Sequence, residues 1–72
     1  MNEDRVKGSW KQFTGKVKEQ WGKLTDDDLD VIDGKREQFL GKLQEREGIA
    51  RDAAEQQLKD WHSRNPDFRF ND

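Results

Sequence analysis

Cysteine is absent from the 72 residues, which excludes both a disulfide staple and a thiolate metal site. Histidine occurs once, as His62, and the serines are Ser9 and Ser63. Ser63 adjoins His62, but neighbours on a helix point about 100° apart, so the two make no nucleophile–base pair. One histidine also leaves no histidine–carboxylate cluster for a metal, and no glycine-rich loop follows a strand pattern to cradle phosphate. Long apolar runs are missing as well. Hydrophobic residues make up 29% of the chain and mean hydropathy is −1.38, so no stretch approaches a membrane span. The start, MNEDRVKGSW, carries no apolar secretion core. The expectation is a cytoplasmic protein without enzymatic activity, cofactor or metal.

What is present is charge. Charged residues form 42% of the chain, with 14 basic and 16 acidic side chains and a net charge of −2. Leu, Ile, Val and Phe number only 14 of 72, near the level at which chains stop folding. Three tryptophans at helical spacing and a near-zero net charge argue for a folded domain with stability on the order of 5 kcal/mol. The charge alternates in blocks. Residues 1–24 sum to +3, 25–34 to −5, 35–51 to +2 and 52–72 to −2, a pattern that predicts attraction between neighbouring helices.

Glycine is the other abundance. It falls at 8, 15 and 22, and again 26 residues later at 34, 41 and 48. Sliding residues 4–29 onto 30–55 gives nine identities: Asp4, Gly8, Gln12, Phe13, Gly15, Lys16, Glu19, Gly22 and Asp26 all recur. This suggests two similar supersecondary units. Val6, Trp10, Phe13, Val17, Trp21 and Leu24 trace one helical stripe; Leu29, Ile32, Phe39 and Leu43 trace a second; Ala50, Ala54, Leu58 and Trp61 trace a third. Helices are predicted near 3–21, 26–33, 35–46 and 51–64, the middle two either separate or joined as one bent helix, in a single all-α domain of about four helices with a tail from 65. Thr25 with Asp26, Asp27 and Asp28 reads as a capped helix start, and Asn2-Glu3-Asp4 as another. Gly22 and Gly48 are expected to be left-handed helix ends, Gly34 a kink or break, and Gly8, Gly15 and Gly41 poor helix residues on tolerant faces. Pro66 closes the last helix.

Three groups are candidates for binding. Asp26, Asp28, Asp30 and Glu37 match four positions of an EF-hand loop, but Val31 stands where that loop needs glycine, so an acidic helix start is the better reading. Lys7, Lys11 and Lys18 share one helical face, with Trp10 and Trp21 nearby, and such a face could grip phosphates. The acidic pI of about 5.4 and the place of both tryptophans on the core stripe weigh against nucleic acid. Glu3, Asp4 and Glu19 weigh likewise against an anionic lipid surface. In the tail, Phe68 and Phe70 either pin an extended segment to the bundle or form an exposed partner motif. A monomer is expected.

Trp10-Lys11, Gly15-Lys16-Val17-Lys18-Glu19, Trp21-Gly22-Lys23-Leu24-Thr25-Asp26, Gly34-Lys35-Arg36 and Gly41-Lys42 together resemble the CsbD-like family of small bacterial stress proteins. The resemblance runs over residues 2–64. It implies a cytoplasmic protein that accumulates in the general stress response or stationary phase, folded as a bundle of two orthogonally packed helical hairpins. It brings no catalytic, cofactor or ligand residues. High glycine and balanced charge also resemble hydrophilins, well-hydrated chains that shield macromolecules during water loss. The alternative is a small binding module using the lysine face or the tail.

Overall fold

The stripes and caps resolve into four helices: α1 (Asn2–Gln20), α2 (Asp26–Ile32), α3 (Arg36–Glu47) and α4 (Arg51–Arg64). They are seen in a computed structural model, which describes the backbone of residues 2–71 and the side chains of residues 10–71. Val6 and Lys7 therefore have side chains outside the described residues. Helix ends fall within two residues of the sequence expectation, and α2 and α3 are separate helices.

The apolar faces meet in one cluster of fourteen buried side chains. Phe39 of α3 lies at its centre, fully buried. Its ring meets Trp10 and Trp21 edge-on, with centroids 5.8 and 5.4 Å apart, and Trp61 of α4 at 6.1 Å. These tilted and edge-to-face geometries are the favoured ones for aromatic pairs. The buried indole N–H groups are not orphaned. Trp10 Nε1 donates to the Leu29 carbonyl at 3.1 Å, and Trp21 Nε1 to Gln57 Oε1 at 2.8 Å. The Cα radius of gyration, 11.5 Å, matches the roughly 11 Å of a compact chain of this length.

Helix ends follow their local chemistry. Thr25 caps α2 in a reciprocal box: its hydroxyl accepts from the Asp28 N–H, while the Asp28 carboxylate accepts from the Thr25 N–H. Gly48 ends α3 with φ +65°, the left-handed end expected of it. Gly22 does not. Among the described residues only Asp33, Gly34 and Gly48 have positive φ. After α1 the chain turns through Gly22 and Lys23 and returns Leu24 to the core, closed by the Leu24 N–H to the Trp21 carbonyl. Ala50, placed on the third stripe by spacing, is exposed because it is the α4 N-cap and not a residue of the helix face.

The 26-residue sequence repeat has no uniform structural counterpart. Gly8 lies inside uninterrupted α1, whereas its match, Gly34, lies in the break between α2 and α3 with φ +75°. Gly15 and Gly41 do correspond: both are helical and exposed, and an added Cβ would meet nothing within 4 Å.

Candidate functional site

The block charges close between neighbouring helices. Lys18 of α1 pairs with Asp26 of α2 at 2.7 Å, Arg36 of α3 with Glu55 of α4 at 3.3 Å, and Arg51 of α4 with Glu37 of α3 at 2.9 Å. These pairs are exposed and each contributes about 0–1 kcal/mol. Asp28 is different, being the buried charged residue of the described core at 2% exposure. Arg46, in the last turn of α3, grips it with two bonds, Nε to Oδ2 at 2.8 Å and Nη2 to Oδ1 at 3.0 Å. Lys42 Nζ adds a third cationic contact at 3.5 Å. The Arg46 bonds, followed by the Thr25 backbone bond, hold the Asp28 carboxyl well below its ordinary value of 3.8, against the opposing effect of burial. Asp28 thus caps α2 and ties it to α3. Three of the four EF-hand positions, Asp26, Asp28 and Glu37, are engaged by cations of the chain itself.

The lysine face is less free than the sequence suggests. Lys18 is held by Asp26. Lys11 is exposed, but it lines a cleft of about 260 Å³ together with Asp26, Asp30 and Asp33. A phosphate approaching Lys11 along that cleft meets three carboxylates. Lys16 lies over the Phe13 ring at 5.5 Å from its centroid. His62 and Ser63 point to different partners: Ser63 Oγ donates to the Asp60 carbonyl at 2.8 Å, and His62 Nε2 bonds the Phe68 carbonyl at 2.8 Å. A carbonyl oxygen only accepts, so Nε2 carries the proton in that bond.

Of the two readings of Phe68 and Phe70, the tail follows the one in which they pin it to the bundle, not the exposed partner motif. Phe68 has no exposed surface. Its ring packs against Trp61 at 5.1 Å, Phe13 at 5.3 Å and Trp10 at 6.0 Å. Phe70 is half-buried, edge-on to Phe68 and His62. Beyond it, the Asn71 N–H donates to the Gly34 carbonyl at 2.7 Å and the Asn71 amide to the Asp33 carbonyl. The tail therefore runs from the end of α4 to the α2–α3 break and closes the bundle over both. Alternation of apolar and polar residues from 67 to 70 was the only sequence signal of this docking; nothing local marked Asn71.

The chain matches a family profile described as CsbD-like over residues 4–56. It is 62% identical over 65 residues to the UPF0337 protein YjbJ of Escherichia coli K12, covering 90% of this chain and 94% of that protein. A UPF0337 protein of Pectobacterium atrosepticum is 62% identical over 61 residues, covering 85% and 88%. One from Pseudomonas aeruginosa is 56% identical over 64 residues, covering 89% and 98%. None of these names states a reaction or a ligand.

Proposed function

The chain belongs to the CsbD-like family, and on that premise we propose that it is a non-enzymatic protectant of macromolecules in the stressed bacterial cytoplasm. One observation carries the reading. The core gathers fourteen apolar side chains, while Val31 is the only large apolar residue exposed among those described. The remaining surface is rich in charge of both signs, and three exposed ion pairs bridge neighbouring helices. Such a surface binds water and resists non-specific sticking of its outer faces at high concentration. A protectant of this type keeps other macromolecules hydrated and apart without needing a site.

Binding of nucleic acid through Lys7, Lys11 and Lys18 is the competing mechanism, and Asp26, Asp30 and Asp33 beside Lys11 and Lys18 disfavour it. The discriminating experiment compares the wild type with a triple Lys7, Lys11, Lys18→Ala variant. Both should preserve a labile enzyme through drying equally well, and neither should bind RNA or DNA. Submicromolar, salt-sensitive binding that the triple variant loses would refute the protectant reading.

A further inference from the structure

The tail docks as a ligand docks. Its contacts divide into an anchor, Phe68 among Trp10, Phe13 and Trp61; a bond from the His62 imidazole Nε2 to the Phe68 carbonyl; and a clasp, Asn71 on Asp33 and Gly34. The groove that receives it is built entirely by residues preceding Asn65. Between groove and ligand stands a short turn, Asn65-Pro66-Asp67, closed by one hydrogen bond from the Phe68 N–H to the Asn65 carbonyl at 3.0 Å. The Asn65 side chain bonds back to the Trp61 carbonyl at 2.9 Å, so the end of α4 is secured independently of where the tail goes.

We infer that this groove also accepts residues 67–71 of a second copy, so that two chains exchange tails reciprocally when concentrated. Opening the turn breaks the Phe68–Asn65 bond. Every other tail contact re-forms identically on the partner, and the two contacts are related by a two-fold axis. Three opened hinge residues span about 10 Å, which lets the ends of two α4 helices lie side by side. The equilibrium then depends on concentration. A tail on a short tether sees its own groove at an effective concentration in the millimolar range, and a second copy competes as it nears that level. Exchange leaves the charged outer faces as they are, with Asp67 and Arg69 balancing each other within the tail. The partner is thus the one segment whose fit to the groove is displayed, a Phe-x-Phe-Asn tail.

The test is sedimentation of the full chain at about 10 µM and about 1 mM, warmed to just below its melting point and cooled. Wild type should be monomeric at the lower concentration and partly dimeric at the higher, and should return to monomer when diluted and rewarmed. Phe68→Ala removes the anchor and Asn71→Ala weakens the clasp; the first should abolish the dimer and the second reduce it. Deleting Pro66 and Asp67 prevents the tail from reversing onto its own α4. That chain should dimerise at least tenfold more tightly than wild type. A wild type monomeric at both concentrations, or a shortened chain that stays monomeric or cannot fold, overturns the inference.

Discussion

Truncating Phe39 to alanine attacks the point where α1, α3, α4 and the loop after α1 come together. The side chain has no solvent exposure and meets three tryptophan rings at 5.4–6.1 Å. Removing a buried phenylalanine costs about 3–5 kcal/mol through lost transfer energy and the cavity left behind. Three aromatic contacts, each contributing about 0.5–1.5 kcal/mol, place Phe39 toward the upper part of that range. A domain this small has a stability on the order of 5 kcal/mol, so Phe39→Ala should be largely unfolded in water at 25 °C. Phe39→Leu keeps most of the volume and should cost less than the alanine variant. Urea titration followed by both far-ultraviolet circular dichroism and tryptophan fluorescence measures the difference. A Phe39→Ala chain that melts cooperatively within about 1 kcal/mol of wild type would refute this core.

Glycine replacements should separate by position. Gly15→Ala and Gly41→Ala, where an added Cβ meets open space, should each stabilise by about 0.5–1 kcal/mol and add together. Gly34→Ala should destabilise by about 1–2 kcal/mol, because φ is +75° and the Asn71 side chain crowds the added carbon; thermal melts check both signs. Acid titration tests the Asp28 hub. Its folded value lies below the ordinary 3.8, so its contribution is fully present above that pH and is lost as pH falls below it. Arg46→Ala should shift the acid-unfolding midpoint upward, and a midpoint equal to wild type would show that Arg46 does not stabilise the Asp28 carboxylate.

Helices, their ends and most of the core could be read along the chain because amphipathic periodicity and capping are local. Trp10, Phe13, Val17, Phe39, Leu43, Leu58 and Trp61 are buried as spacing predicted. Leu40 was missed: it lies off the α3 stripe yet is fully buried, since contact with more than one neighbour widens the apolar face. What could not be read are the contacts that join distant positions. Asp28 is recognisable as a helix start, but its partner Arg46 lies 18 residues away. The Asn71 clasp on residues 33 and 34 joins positions 38 and 37 apart. Gly34 lies in the expected break between α2 and α3, whereas Gly22 is not the left-handed helix end that Gly48 is, because identical residues acquire different backbone angles when their surroundings differ. Gly34 is held in the break by the tail, and no equivalent clasp forms at Gly8 inside α1.

Recovery of a labile enzyme after drying, measured against rising amounts of this protein, tests the protective role most directly. A hydrated surface that works without a complex should give a graded increase with added mass, exceeding that of an ordinary globular protein at every dose and independent of which enzyme is protected. Protection that plateaus at a fixed molar ratio, or that never exceeds the control protein, would contradict it.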